Sequence, residues 1–510
     1  MSPRLRSALQ IPAAAALGAL QTLAFVNTAA WWLPIAALVP LLTWLDGARP
    51  GRAAWLGGAY GTGWLCVGFW WLFISMHRYG GLAAPLAVAA VLLLGAALWL
   101  FLAAATAAYA RWRSGRAWDV LLFAALWLLA ELARGQWFTG FPWVASGYAQ
   151  VDSPLSGLAP WVGVYGMGAA AAGIAAALAL LARGHERGTE AGLPAMAIAG
   201  ALLVLPLALP ADFTRATGEM SVALLQTHVS QDEKFAAEHM PQTLAWVGRE
   251  LMAARADLVL SPETAVPLLP GQLDDFAPGY WASLKAYFEA PGRAALVGIP
   301  LGDFDQGYTN SVVGLSASAG GYRYDKWHLV PFGEFIPRGF RWFTELMNIP
   351  LGDFARGVPN PPSFAVAGQR VGPNICYEDL FGEELARRFV DDALAPTILA
   401  NLSNMGWFGE SSAITQHLNI SRLRALELQR PLIRATNTGA TAVVDHQGRV
   451  QALLAPHTRG VLQARVQGRE GLTPFARWAA HLGLWPLWAV GVAGVVWGAT
   501  RRHAQRPSSG

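Results

Sequence analysis

The sequence predicts a polytopic α-helical membrane domain of about eight spans joined to an α/β domain. Three observations predict it. Hydrophobic residues make up 54% of the 510 positions and charged residues only 14%, against roughly 25% charged in ordinary globular chains. Residues 1–210 hold only 17 of the charged side chains, so the chain is an apolar first part and a more usual second part. From residue 220 onward the long apolar runs give way to short β-rich ones. This composition excludes a disordered chain. Two cysteines exclude a disulfide scaffold and a Cys-rich zinc module.

A helix needs about 20 apolar residues to cross the roughly 30 Å hydrocarbon layer. Seven such runs precede residue 211: 8–27, 29–45, 54–76, 84–110, 120–133, 161–182 and 192–209. An eighth covers 478–499. Arg4 and Arg6 before an Ala-rich run imitate a signal peptide, but further spans follow at once, so the first run is taken as a span. Arginine placement orients the set. Arg4, Arg6, Arg49, Arg52, Arg111, Arg113, Arg116, Arg183, Arg187, Arg501, Arg502 and Arg506 fall on one side. The opposite short loops offer only Arg78 and Arg134. Both termini are expected to be cytoplasmic and the stretch 211–477 extracytoplasmic. The net charge of +4 is then a topology signal, and no basic cluster points to nucleic acid.

Within the membrane part, Glu131 and Arg134 are spaced for an i, i+3 ion pair. Trp143 and Tyr148, in Gly140-Phe-Pro-Trp143 and Gly147-Tyr-Ala-Gln150, are placed as interfacial anchors or as the lining of a lipid path. Gly61-x-Gly63 lies inside a span and suits helix packing better than a phosphate loop. Cys66, inside the third span, suits core.

The expected domain organisation is a membrane domain over 1–210, an extracytoplasmic domain over 220–468 and a last membrane helix over 478–499. In the middle domain, strands are expected at Val222–Leu225, Leu258–Leu260, Ala295–Ile299, Ser311–Leu315, Thr397–Ala400 and Ala442–Val444. A helix is expected over 413–428, where Ile414, Leu418, Leu423, Leu426 and Leu428 recur with helical spacing. Adjacent strands 295–300 and 309–316 suggest a hairpin within an α/β layer architecture.

Three short segments carry chemistry. Cys376 ends an expected strand in Val371-Gly-Pro-Asn-Ile-Cys376 and precedes an expected helix, a position that favours thiolate; taken alone it is equally a buried inert thiol. Lys326 stands in Tyr324-Asp-Lys-Trp-His-Leu-Val-Pro-Phe-Gly-Glu334. Only three of the 37 basic residues are lysine: Lys234, Lys285 and Lys326. A lysine can lower its pKa or place a compact charge at an oxyanion. Glu263, in Ser261-Pro-Glu-Thr, follows the apolar strand 258–260 and could serve as a general base. His328 and His417 are rival acid/base groups, but no Cys-His signature surrounds them.

Glu263, Lys326 and Cys376, in that order and each beside a strand, resemble the nitrilase (carbon–nitrogen hydrolase) superfamily. The resemblance implies a Glu-Lys-Cys triad in a four-layer α-β-β-α sandwich. With the flanking spans, and with Phe141-Pro-Trp143, Asn401-Leu-Ser-Asn404, Trp407-Phe-Gly409 and Arg422–Pro431, the chain resembles the apolipoprotein N-acyltransferase family of the Gram-negative inner membrane over about residues 5 to 500. It departs from the family pattern at Phe235, Ser261, Trp327 and Met405-Gly406, none of them in the triad.

The resemblance implies Cys376 as nucleophile, Glu263 as general base and Lys326 as oxyanion partner, with Glu334, Tyr377 and Glu378 in support. It implies a phospholipid acyl donor, typically phosphatidylethanolamine, and a diacylglyceryl apolipoprotein acceptor. No cofactor, no metal and no nucleic-acid partner are expected. A membrane-tethered amidase, with water as acceptor, is the alternative. The aromatic stretch 340–358, with Trp342, Phe343 and Phe354, is expected as a lid over the triad.

Overall fold

The computed structural model describes residues 3–187, 192–318, 320–337 and 354–503. They form two compact units. The first comprises residues 1–70, 85–211 and 482–510; the second comprises 71–84 and 212–481.

The first unit is helical: Pro3–Gln21, Trp32–Leu45, Pro50–Gly68, Ala84–Trp112, Asp119–Gln136, Ala159–Arg187, Gly192–Ala208 and Trp485–His503. Helix Pro50–Gly68 runs antiparallel to Ala84–Trp112, with Gly57 against Thr106, Gly61 against Leu102 and Gly95 against Cys66. It is also antiparallel to the first helix, where a Cβ on Gly63 would strike the carbonyl of Ala15 and one on Gly18 that of Tyr60. Glycine is needed there because the backbones approach closely. The Gly61-x-Gly63 pair is thus a packing surface, and Cys66 is buried beside Val91. Glu131 and Arg134 do pair, at 3.2 Å and almost fully buried. Arg134 also donates to the carbonyls of Phe141 and Trp143, and Glu131 accepts from Trp127 and Ser146. A buried pair of this kind is tolerable because every charge has partners.

Five helices of the described residues are long and apolar enough to cross a membrane, with the broken pair Pro474–Leu482 and Trp485–Arg501 as a sixth. Three expectations change. In the run 54–76 the long helix ends at Gly68, and the short helical turns Leu72–Ile74 and Ser75–Tyr79 that follow fold with the second unit, which begins at Trp71. The run 478–499 is interrupted at Gly483, whose φ is +55°. Ala479 and Ala480 pack in the core of the second unit with Phe389, Leu428 and Leu432. Trp143 and Tyr148 are buried, at 3% and 2% exposure, so they are not anchors displayed to a membrane interface.

The second unit is a four-layer α-β-β-α sandwich. One six-stranded sheet has the order β12-β1-β2-β3-β4-β5, the other β11-β10-β9-β8-β7-β6. In chain order the strands are β1 (Arg215–Gln226), β2 (Leu258–Leu260), β3 (Ala294–Asp303), β4 (Gly307–Ser316), β5 (Arg323–Asp325), β6 (Phe364–Val366), β7 (Gln369–Ile375), β8 (Ile398–Ser403), β9 (Leu432–Thr436), β10 (Ala442–Val444), β11 (Val450–Leu453) and β12 (Gly460–Glu470). The hairpin β3–β4 is antiparallel, with Ile299 opposite Ser311. Alternation along β1 builds two cores, as a period of two requires. Met220, Val222 and Leu224 meet Val371, Ile398 and Ile433 between the sheets. Ala223 and Leu225 face the helices Met240–Ala253 and Tyr280–Phe288. On the far side, helix Ala413–Leu428 covers the second sheet with Ala425 and Leu428. The ends of β2, β5, β7 and β8, together with Asn310 inside β4, carry the polar residues described next.

Candidate active site

Cys376 sits where β7 stops. Its φ is +53°, a left-handed conformation that costs a non-glycine residue roughly 1 kcal/mol or more. Its neighbours hold it there. The carbonyl of Cys376 accepts from Asn401 Nδ2 at 3.3 Å and contacts His417 Nε2 at 3.2 Å. Arg434 lies 2.9 Å from the other ring nitrogen of His417. Burial, then the Arg434 charge, push the His417 pKa well below its usual value. A neutral His417 therefore donates through Nε2 and accepts from Arg434. It positions the backbone of Cys376 and does not act as an acid/base group on the thiol.

The turn Cys376–Leu380 after the strand is one short 3₁₀ turn, too brief for a substantial dipole. The expected bias toward thiolate is reversed. Burial pushes the Cys376 thiol well up, and Glu263 adds to the rise against the opposing effects of Lys326 and the Asn404 backbone N–H. Burial and the Glu263 charge together favour the protonated thiol.

Glu263 is the carboxylate whose charge acts most on this thiol. One carboxylate oxygen accepts from Asn310 Nδ2 at 2.7 Å and lies 3.5 Å from Lys326 Nζ. The other accepts the Asn404 N–H at 2.8 Å. Lys326, only 1% exposed, donates to Glu334 at 2.9 Å. Asn310 donates to Glu334 as well, and the second Glu334 oxygen accepts Val330 N–H. Burial pulls the Lys326 pKa down, but the charges of Glu334 and Glu263 outweigh it and the net shift is upward. Lys326 is a permanent cation; the lysine that loses basicity is Lys234.

Glu378 ties the lysine segment to the nucleophile segment. One of its oxygens accepts the N–H groups of Trp327 and His328, and the other accepts Tyr324 Oη–H and Ile375 N–H. Tyr377 is buried with its ring 5.3 Å from Phe381 and 5.6 Å from His328, and His328 lies 3.1 Å from Glu384. Among the departing residues, Ser261 accepts Gly298 N–H through its hydroxyl, and Met405 is buried beside Gly439.

Sequence reading missed Asn310, Asn404 and Lys234. Asn310 lies mid-strand with no motif around it. Asn404 was visible only within Asn401-Leu-Ser-Asn404, and its side chain is fixed by Gln231 and Asn437. Of the expected lid, Trp342 and Phe343 lie outside the described residues. Phe354 is packed: its ring meets Tyr308 at 4.7 Å and its N–H bonds the Glu334 carbonyl. Trp143 and Tyr148 belong to the helical unit, not to the unit that holds Cys376.

Residues 17–177 match the model of the apolipoprotein N-acyltransferase N-terminal domain, and residues 221–474 that of the carbon-nitrogen hydrolases. The apolipoprotein N-acyltransferase of Verminephrobacter eiseniae is 52% identical over 486 residues, covering 89% of each chain. That of Ralstonia nicotianae is 47% identical over 93% of this chain and 91% of its own. Among solved structures, a carbon–nitrogen hydrolase superfamily protein from Xanthomonas campestris is 17% identical, covers 52% of this chain and 96% of its own, and has a TM-score of 0.38. With both halves matched and the identity sustained along its length, the chain belongs to the apolipoprotein N-acyltransferase family, acyltransferases built on a carbon–nitrogen hydrolase domain.

Proposed function

We propose that the protein moves an acyl chain from a phospholipid to the α-amino group of the diacylglyceryl-cysteine at the N-terminus of apolipoproteins, through a thioester on Cys376. The observation that carries this reading is the arrangement at Glu263. A carboxylate held by Asn310, Asn404 and Lys326 stands in electrostatic contact with a protonated thiol.

In the first half-reaction Glu263 takes the thiol proton as Sγ attacks the ester carbonyl. The carbonyl oxygen becomes anionic beside Lys326, whose charge is already fixed in place. The ester C–O bond then breaks and Glu263 returns the proton to the departing alkoxide. In the second half-reaction the acceptor amine attacks the thioester carbonyl and gives its proton to Glu263. The C–S bond breaks and the sulfur recovers a proton. Splitting the transfer at a thioester replaces one difficult step by two easier ones. Glu334 holds Lys326 and Asn310 at once, Glu378 aligns the two segments, and Tyr377 packs against His328 and Phe381.

The proposed donor is phosphatidylethanolamine, and no metal or cofactor takes part. The domains are proposed as 1–210 for the membrane part, 220–468 for the catalytic part and 478–499 for the last, interrupted, membrane segment. The arginine asymmetry supports an inner-membrane protein with both termini cytoplasmic and the catalytic domain periplasmic. Incubating purified protein with phosphatidylethanolamine and measuring its intact mass tests the reading. One acyl group is expected on Cys376, released on adding a diacylglyceryl lipopeptide, and none on Cys376→Ala. Acylation of Cys376→Ala at the normal rate would overturn the mechanism.

A further inference from the structure

Lys234 lies outside every role assigned so far. It is one of three lysines in the chain and is only 5% exposed. Its turn, residues 231–235, is anchored at both ends of the site: Gln231 accepts from Asn404 Nδ2 at 2.9 Å, and Lys234 Nζ donates to the backbone carbonyl of Glu263 at 3.0 Å. Among the described residues Lys234 Nζ has no other hydrogen-bond partner, so two of its three donors stay unused. A buried ammonium left in this condition is costly and calls for a charge that it answers.

The surrounding charges supply that reason. Glu263 and Glu334 both contact Lys326, two anions around one cation. When Glu263 takes the Cys376 proton, the negative charge moves to sulfur and the imbalance stays. Lys234 feels the charge of both Glu263 and Cys376. We propose that Lys234 is a positioning cation of the reaction, which fixes the Glu263 backbone and balances the negative charge that passes between Glu263 and Cys376. This rests on the proposed thioester mechanism.

Burial pulls the Lys234 pKa down to about 8, although the Glu263 and Cys376 charges oppose the fall. The titratable groups facing Lys234 are Glu263 from the loop after β2 and the Cys376 thiol from the end of β7, and Asp232 and Glu233 stand on its own turn. Asp232 is paired with Arg78 at 3.4 Å. The sign follows. The cation is present below about pH 8 and lost above it, so acylation should slow as pH rises through that value. Its effect on stability runs the other way. The folded-state pKa lies below the ordinary lysine value, so between about pH 8 and that value the unfolded chain holds more protons and stability rises with pH. At pH 7 the charge costs stability, and removing it should not lower the melting point.

The test uses the full-length protein in phosphatidylethanolamine-containing nanodiscs, with the rate of Cys376 acylation followed by intact mass from pH 6.5 to 9.5. Lys234→Met should acylate at least about tenfold more slowly at pH 7, without a fall near pH 8 and without a lower Tm. Lys234→Arg should recover most of the rate, with the fall moved to higher pH because arginine stays charged. A Lys234→Met variant with the wild-type rate and pH profile overturns the proposal. So does a rate loss matched by a lower Tm. If wild-type Cys376 takes no acyl group at any pH, the thioester reading itself fails, whatever Lys234 does.

Discussion

Cys376 shows how far a residue can be read from its neighbours in sequence. Its place at a strand end was legible, and so was the order Glu263, Lys326, Cys376, because each sits in a short motif beside an apolar run. Its protonation state was not legible. A strand-to-helix junction suggested a thiolate, but burial and the Glu263 charge together outweigh the Lys326 charge and the Asn404 N–H. Asn310 and Lys234 were silent for a related reason: their roles arise from contacts 47 and 29 positions away along the chain. The raised thiol pKa gives a direct expectation. Since the thiolate is the alkylating form, the rate of iodoacetamide modification of unacylated Cys376 should keep rising between pH 7 and pH 9. Peptide mass spectrometry separates it from Cys66. A rate already level below pH 7 would mean a preformed thiolate and would remove the need for Glu263 as base in the first step.

At the scale of elements, strands with apolar alternation were legible and edge strands were not. The expected runs at 222–225, 258–260, 295–299, 311–315 and 442–444 all lie within observed strands. β12 was hidden because Gln463, Arg465 and Gln467 alternate with its apolar positions. It is an edge strand beside β1, with one side open to solvent. The run 54–76 misled because Phe69-Trp-Trp-Leu-Phe-Ile74 has the hydropathy of a span. From Trp71 onward the chain instead folds with the second unit: Trp71 donates to Gln416 and lies 4.4 Å from Phe408, and Tyr79, just past the run, meets Trp407. At this scale Glu378 joins the segment around β5 to the end of β7, across the two sheets. Its four acceptor contacts require two carboxylate oxygens. Glu378→Gln replaces one of them by an NH₂ group facing two donors, and leaving buried donors unpaired costs roughly 1–3 kcal/mol each. The variant should lose about 2 kcal/mol or more of stability in chemical denaturation, together with most acylation. Wild-type stability with wild-type acylation would show that the two segments keep their alignment without the clamp.

At the scale of the molecule, the question is how many times the chain crosses the membrane. By length and hydropathy alone, helices Pro50–Gly68 and Gly192–Ala208 fall short. The first carries six glycines and Arg52, and the second has 17 residues. Five crossings or seven before residue 211 are both odd, so with the N-terminus cytoplasmic, as proposed above, either count places residues 212–481 outside. They differ over the loop at residues 113–116. Counting five places that loop and Arg183 on the outer side; counting seven places both on the inner side with Arg49 and Arg52. The ion pairs favour seven. Asp46 lies 3.7 Å from Arg113 and 3.5 Å from Arg183, so the ends of three helices meet at one edge of the unit. Residue 46 and residue 113 can meet only if Pro50–Gly68 travels away from that edge and Ala84–Trp112, about 43 Å long at 1.5 Å per residue, returns to it. The antiparallel glycine register between these two helices records the same path. Hydropathy fails on Pro50–Gly68 because glycine, chosen for close packing, scores as nearly neutral. A reporter inserted at Gly115 should therefore read as cytoplasmic, while one inserted after residue 300 should read as exported. The second result alone cannot choose between the counts. An exported reading at Gly115 would eliminate seven crossings and put five arginines, Arg111, Arg113, Arg116, Arg183 and Arg187, on the side that the positive-inside rule disfavours.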